Sequence, residues 1–302
     1  MKQLPSVKRL WLYNTQVTDL GLEHLKGMAH LQILALDDTQ VTDGGLERVK
    51  SALHAYGLWE EEWEGRISAL PGDLEQPELG LGPAFKRLAG GVDAVFHNGA
   101  NVNYVLGFKQ LRAANVTATR DALRIAEAAG APFFFISTLR MFDHRLDSVP
   151  IREDDAIDMS AAMRIGYAHT KLMSERLVTA AALRGAKTAI FRPGLMCGDG
   201  VTGAPNLHDA LSLLIRGCVT LGAAPKSPMQ INLTSVAYAA QGLLALAQGF
   251  GGSGDIWHLV NDTPTAMNRV FRALIKAGYP IKMIPYDAWV VRLRAASERG
   301  ET

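Results

Sequence analysis

A chain of 302 residues is long enough for one large α/β domain, or for a smaller domain with an appendage. With 31 basic against 30 acidic residues the net charge is +1, which leaves no electrostatic footprint for nucleic acid or an anionic membrane surface. The two cysteines, Cys197 and Cys218, cannot build a disulfide framework and read as small buried hydrophobes, which fits a reducing, cytoplasmic setting. In chain order, the N-terminus shows no basic, apolar and cleavage pattern of a leader peptide.

A repeat comes next. Val7-x-x-Leu10-x-Leu12-x-x-Thr15-Gln16-Val17-Thr18-Asp19 recurs as Leu31-x-x-Leu34-x-Leu36-x-x-Thr39-Gln40-Val41-Thr42-Asp43, a period of 24 residues. Alternate leucines would line one face of a short strand, and the turn would lead into a helix behind it. The segment resembles the leucine-rich repeat family over about residues 4–48. Two repeats cannot bury a solenoid core alone, since about three or more are needed, so they are expected to dock on the rest of the chain or on a protein partner.

From about Leu46 the pattern changes. Ser51 to Trp63 reads as a helix ending in the acidic run Glu60 to Glu64. Strands are expected at Arg66–Leu70, Val92–His97, Phe133–Thr138 and Lys187–Arg192, separated by long amphipathic stretches. Continuous apolar strands alternating with helices imply a parallel sheet covered on both faces. Val236 to Phe250 is too short for a bilayer, which takes about 20 apolar residues, and is read as a core helix.

The chemistry centres on Tyr167-Ala168-His169-Thr170-Lys171. On a helix, positions i and i+4 share a face, so the phenol and the ammonium can converge. The lysine charge is expected to favour phenolate and lower the Tyr167 pKa toward a range useful for proton transfer. About 30 residues upstream, the Phe133–Thr138 strand ends in Ser137-Thr138. A hydroxyl at the carboxyl end of a parallel strand faces the ligand crevice, so Thr138, Tyr167 and Lys171 can surround one substrate oxygen. His258 reads as a packed strand residue, and no His/Cys/Asp cluster has metal-ligand spacing.

Residues from about 46 to 290 resemble the thioester reductase domains that terminate nonribosomal peptide and polyketide assembly lines, a branch of the extended short-chain dehydrogenase/reductases shared with carboxylic acid and fatty acyl reductases. The matching text includes Leu70-Pro71-Gly72-Asp73-Leu74, Val92-Asp93-Ala94-Val95-Phe96-His97-Asn98-Gly99-Ala100 and Leu111-Arg112-Ala113-Ala114-Asn115-Val116. It continues through Ser137-Thr138, Tyr167 with Lys171, Arg192-Pro193-Gly194, Gly198-Asp199 and Thr202-Gly203 with Asn206 and Asp209. The resemblance implies an NADPH-dependent oxidoreductase acting on an acyl carrier protein thioester or acyl-CoA. In that reading Asp73 would bond the adenine amino group and Leu74 would lie against the ring. Asn98, Gly99 and Ala100 would pass beneath the ribose and pyrophosphate, and Asn115 would hold the catalytic helix. Pro193 and Gly194 would lie against the nicotinamide, with Thr138, Tyr167 and Lys171 as the catalytic set.

One departure and one misleading match qualify this pattern. The family opens with a strand, a Gly-x-x-Gly-x-x-Gly turn and a helix whose N-terminus holds the pyrophosphate, and no such turn precedes Asp73. The literal Gly198-x-Gly200-x-x-Gly203 match follows the last recognised strand and reads as a substrate-side loop. The expected architecture is therefore α/β: a partial Rossmann-type parallel sheet without its usual first β-α-β unit. It would form residues 49–302, with a shortened C-terminal substrate part, behind a leucine-rich repeat segment at residues 1–48 that covers the exposed sheet edge. The alternative is a catalytically inactive reductase-like protein whose repeats bind a protein partner. The intact catalytic set beside the missing phosphate turn leaves cofactor binding as the dividing question.

Overall fold

The computed structural model describes residues 9–11, 33–35, 72–142, 150–198, 209–248 and 250–300, together with positions 47, 51, 54, 70 and 203. Strands β1 (Arg9–Trp11) and β2 (Ile33–Ala35) pair in parallel, with Leu10 opposite Leu34, so each residue faces the one a repeat period further on. Among the described residues these two strands pair with each other and with no strand of the main sheet, which corrects the expectation that they cover its edge. The helix expected over Ser51–Trp63, the acidic run and the Arg66–Leu70 strand lie almost wholly outside the described residues.

The main sheet is built from β3 (Val95–His97), β4 (Phe133–Ile136), β5 (Thr188–Pro193) and, further along the chain, β10 (Asp255–Leu259). Its order is β10-β5-β4-β3 and every pairing is parallel. Before β3 comes α1 (Pro83–Ala89); between β3 and β4 run α2 (Phe108–Arg112), a π-turn (Ala113–Thr117) and α3 (Ala118–Ala129). The short α4 (Met159–Ala162) and the long α5 (Gly166–Leu183) separate β4 from β5. After β5 follow β6 (Leu195–Cys197), α6 (Ala210–Leu221), β7 (Ala223–Pro225), β8 (Gln230–Ile231), β9 (Leu233–Ser235) and α7 (Val236–Gln248). Beyond β10 the chain ends with β11 (Thr265–Ala266), α8 (Met267–Lys276), β12 (Lys282–Ile284) and α9 (Tyr286–Glu298).

Side-chain alternation in β4 builds both faces at once. Phe133 and Phe135 pack with Ala122 and Ala126 of α3 and Val178 and Ala181 of α5. Phe134 points the other way, into Phe191, Ala239 and Leu259 beneath α7. Small helix residues let the backbone come close to the phenyl rings. The sequence placed β4 through Thr138, but the strand stops at Ile136 and leaves Ser137 and Thr138 to form the turn. Helix α7 was expected in the core; it buries only Ala239 fully and presents Val236, Tyr238 and Leu244 to solvent. With 3.6 residues per turn and a sheet on one side, half of an all-apolar helix must face outward.

A second core forms from α6, β7, α8, β12 and α9 around Phe271, Ala223, Ala224 and Trp289. The Trp289 indole N–H donates to the Ala223 carbonyl at 3.2 Å.

Candidate active site

Parallel strands place the carboxyl ends of β3, β4 and β5 on one edge of the sheet, where His97, Ile136 and Pro193 end their strands and Thr138 follows two residues after β4. Helix α5 starts where Ile165 is still extended, so Tyr167 and Lys171 occupy its first two turns. The Lys171 ammonium donates to the Ile136 carbonyl at 2.7 Å and sits 4.7 Å above the Phe135 ring centre. That bond fixes α5 to the end of β4, two residues before Thr138. Thr138 Oγ1 accepts the Arg140 backbone N–H at 3.2 Å, and the neighbouring Ser137 hydroxyl is buried without a hydrogen-bond partner. Thr138, Tyr167 and Lys171 are 8%, 6% and 3% exposed, so all three lie in nearly dry surroundings.

Electrostatics here differ from the sequence expectation. Burial pushes the Tyr167 phenol above its ordinary value, with the neighbouring Tyr104 adding to the rise and Arg140 opposing it. The Lys171 ammonium itself is bonded to the Ile136 carbonyl. Burial also pulls Lys171 down to about 8, partly restored by the Glu175 carboxylate. Tyr167 is therefore a neutral hydrogen-bond donor at neutral pH.

Asn115 lies in the π-turn, whose i+5 spacing turns a carbonyl out of the regular ladder. Its side chain accepts from the Asn101 N–H at 2.7 Å and donates to the Asn101 carbonyl and to Thr170 Oγ1 of α5 at 3.1 and 2.9 Å. The Asn115 carbonyl accepts from the Thr119 and Ser174 hydroxyls at 2.6 and 3.1 Å. His97, at the end of β3, continues this network to Thr119 at 3.1 Å. Burial, with Lys171 nearby, pulls His97 down to about 4 and keeps its ring neutral.

The residues read for a cofactor fall into two groups. Leu74 lies directly against Gly99, where an added Cβ would meet the leucine methyls at 3.2 and 3.4 Å. Beside it Asp73 accepts the Glu75 N–H at 2.8 Å and is otherwise turned to solvent, as are Asn98 and Gly99, with Ala100 half-buried behind them. Together they form an open shelf with an acidic rim at the carboxyl end of β3. Pro193 closes β5, and a Cβ at Gly194 would meet Asn232 Oδ1 at 2.8 Å and Thr234 Oγ1 at 3.0 Å. Packing against that polar pair gives Gly194 a structural reason of its own.

Other members of the site were not read from the sequence. Arg192 and Glu175 form a buried, two-pronged ion pair at 2.9 and 2.8 Å, and Arg192 reaches the Glu153 carbonyl at 3.2 Å. The Tyr167-x-x-x-Lys171-x-x-x-Glu175 spacing could have found the glutamate, which continues the same helix face. Tyr104 and Arg140 flank Tyr167, and no local spacing links those three. A cavity of about 220 Å³ is lined by Leu172, Glu175, Arg176, Thr179, Arg192 and Ile256 among others, and so borders the Arg192–Glu175 pair. Cys218 is buried and its thiol is pushed up to about 11 by burial, while Cys197 is half-buried on β6. Of the glycine-rich run read as a substrate-side loop, only Gly198 and Gly203 are among the described residues.

The sequence profile of an NAD-binding family, described as male sterility protein, matches residues 28–243. The chain belongs to that family. The match begins inside the segment assigned to the repeats. A linear gramicidin synthase of Brevibacillus parabrevis is 34% identical over 253 residues, 82% of this chain and 5% of that protein. The L-2-aminoadipate reductase large subunit of Eremothecium gossypii is 34% identical over 263 residues, 81% of this chain and 19% of that protein. The chain thus spans a fifth or less of the length of these curated relatives. Among solved structures, the terminal R domain of the myxalamid PKS-NRPS pathway superposes with a TM-score of 0.79 at 32% identity, covering 97% of this chain and 76% of that one. Among the described residues no helix is long and apolar enough to cross a membrane, and no group of three or more His, Cys, Asp or Glu side chains could hold a metal ion.

Proposed function

We propose that residues 49–302 reduce carrier-bound acyl thioesters to the aldehyde, or on to the alcohol, with NADPH. Support comes from the Lys171–Ile136 bond, which ties α5, the helix that carries Tyr167, to the end of β4 two residues before Thr138. Asp73, Leu74 and Asn98 to Ala100 would hold the nucleoside end of the cofactor, and Pro193 and Gly194 would lie toward its other end. NADPH, when bound, supplies a hydride to the thioester carbonyl carbon. The chain's own part is electrostatic. As the carbonyl becomes tetrahedral, Tyr167 and Thr138 donate hydrogen bonds to the oxyanion from a nearly dry site, where such donors act most strongly. Lys171 holds the end of β4 against α5 and keeps a positive charge near that oxygen. Collapse of the oxyanion breaks the C–S bond, releases the carrier thiolate and leaves the aldehyde. The relatives support this reading: one is a linear gramicidin synthase subunit, another an L-2-aminoadipate reductase, and the matched solved domain is the terminal R domain of a PKS-NRPS biosynthetic pathway.

The test is an NADPH titration of the purified chain followed by nicotinamide fluorescence, then turnover of an acyl-carrier thioester. Tyr167→Phe is expected to lower kcat by about 10²–10³ while leaving NADPH affinity unchanged, the usual cost of one oxyanion donor. Wild-type turnover by Tyr167→Phe would defeat the reading. A second reading, an inactive reductase scaffold acting through protein-binding repeats at residues 1–48, is favoured by the Leu10–Leu34 register, which matches the sequence period. It predicts no saturable NADPH binding up to millimolar concentration.

A further inference from the structure

The backbone just after Asp73 and Leu74 takes a conformation that ordinary residues avoid. Glu78 and Leu79 are consecutive, neither is glycine, and both lie in the left-handed region, at φ 55° and 59°. Such a pair persists only where its surroundings hold it, and outliers of this kind gather at functional sites. Here they let the chain fold back on Asp73. The Asp73 N–H donates to the Leu79 carbonyl at 2.8 Å, and the Gln76 N–H donates to the Asp73 carbonyl at 3.1 Å. Gly80 lies so close that an added Cβ would meet the Asp73 nitrogen and Cβ at 3.0 and 3.2 Å. The turn thus clamps the backbone of Asp73 and leaves its carboxylate at the exposed rim.

The hold on this turn comes from α3. Asp121, in the first turn of that helix, is fully buried, and its Oδ2 accepts the Glu78 N–H at 2.9 Å across 43 residues of sequence. Its Oδ1 is paired with Arg120 at 2.8 Å and with Arg124 at 3.5 Å, so the charge is not left bare in the interior. Arg124 also reaches the Glu78 carboxylate at 3.4 Å. Leu79 packs on the cluster formed by Ala122, Ala126 and Phe133, which places the turn against the sheet core. An apolar residue could fill the place of Asp121 on α3, but only an acceptor there can hold the Glu78 N–H.

We propose that Asp121 is a positioning residue for the nucleoside end of the cofactor: through the Glu78 N–H it holds the left-handed turn that fixes Asp73 and Leu74 beside Gly99. This rests on the reading of Asp73 and Leu74 as adenine ligands and adds the residue that sets their place. Asp121 lies on α3, apart from Thr138 at the end of β4 and from Tyr167 and Lys171 on α5. Its loss is therefore felt in nucleotide affinity and not in the chemical step.

The experiment uses the full chain with Asp121→Ala, Asp121→Asn, Asp73→Ala and the double variant Asp73→Ala with Asp121→Ala. Asp121→Ser, whose hydroxyl is too short to reach Glu78, replaces the alanine should that variant lose its far-ultraviolet melting transition. Calorimetry measures binding of adenosine diphosphate and of NADPH, and turnover of an acyl-carrier thioester gives kcat and the KM for NADPH. Asp121→Ala is expected to weaken both nucleotides by about tenfold, the scale of one hydrogen bond to a charged group. The KM should rise in step while kcat at saturating NADPH stays unchanged. Asp121→Asn keeps an acceptor for Glu78 and is expected to retain most of the affinity. In the Asp73→Ala background the Asp121 change should bring little further loss, because its effect passes through the Asp73 turn. Wild-type affinity in Asp121→Ala overturns the proposal, as does the same loss in both backgrounds, or a fall in kcat with affinity intact. A wild type that binds adenosine diphosphate but turns over no thioester sinks the reductase reading and leaves Asp121 in its role. A wild type that binds neither nucleotide overturns both.

Discussion

At the scale of single residues, dryness governs the chemistry more than the spacing of charges does. The Tyr167–Lys171 interval places phenol and ammonium on one face, but the ammonium satisfies the Ile136 carbonyl and desolvation raises the phenol. The same dryness acts on His97, which is 6% exposed. Its folded value near 4 lies below the ordinary 6.5, so between these limits the unfolded chain takes up a proton that the folded chain refuses. The stability tied to a neutral His97 is therefore complete above pH 6.5 and is lost as pH falls through 4. The gap corresponds to about 3 kcal/mol. His97→Asn keeps a polar contact for Thr119 and removes the titration. Its urea-derived stability should fall by about 3 kcal/mol less than that of wild type between pH 7 and pH 4. Identical pH slopes in the two proteins would show that His97 opens to water before it protonates.

Elements show which parts of the molecule were legible in the sequence. The central strands β4 and β5 were readable because Phe133–Ile136 and Thr188–Phe191 are apolar on both faces, as a sandwiched parallel strand must be. Strand β10 was read only at His258, as a packed strand residue, since Asp255 and His258 interrupt its apolar pattern and its pairing with β5 is set by a partner far away in sequence. The proton-donating set could be assembled from a strand end and an i, i+4 pair, and resemblance supplied Asp73, Leu74 and Asn115. Tyr104 and Arg140 stayed invisible because they meet Tyr167 only once the loop before α2 folds onto α5. Gly166 is the residue that permits this contact. Gly166→Ala would drive its methyl into the Leu106 carbonyl and Gly107 backbone, so the loop has to shift, at about 1–3 kcal/mol for an overpacked site. In helix α6, Gly217 has open space around it, and Gly217→Ala should instead stabilise by about 0.5–1 kcal/mol. Urea unfolding of the pair checks the contrast. A Gly166→Ala protein as stable as wild type would mean that loop and helix are not in contact in solution.

Among the described residues the buried side chains fall into separate clusters, and cooperativity is expected to divide along them. One core lies along the sheet, with Phe133 and Phe135 toward α3 and α5 and Phe134 beneath α7. The other gathers α6, α8 and α9 around the short β7–β12 pair, with the Trp289–Ala223 hydrogen bond inside it. The two groups of buried residues are distinct, while the catalytic set and the Leu74–Gly99 shelf both belong to the sheet side. A molecule built this way can loosen its C-terminal core while the catalytic geometry persists, because local opening follows contiguous packed units. Phe271, fully buried in the second core, is the place to test this. Phe271→Ala removes a large ring and should cost about 3–5 kcal/mol through lost burial and the cavity left behind. Amide hydrogen exchange is then expected to accelerate in β7, β12 and α9, with β4 and β5 keeping wild-type protection. Tyr167 and Lys171 would stay in place, so NADPH affinity should hold while acyl-carrier affinity, if it depends on the C-terminal core, falls. Uniform loss of protection across both regions would mean that the two cores unfold as one, and that the C-terminal helices help hold the catalytic edge together.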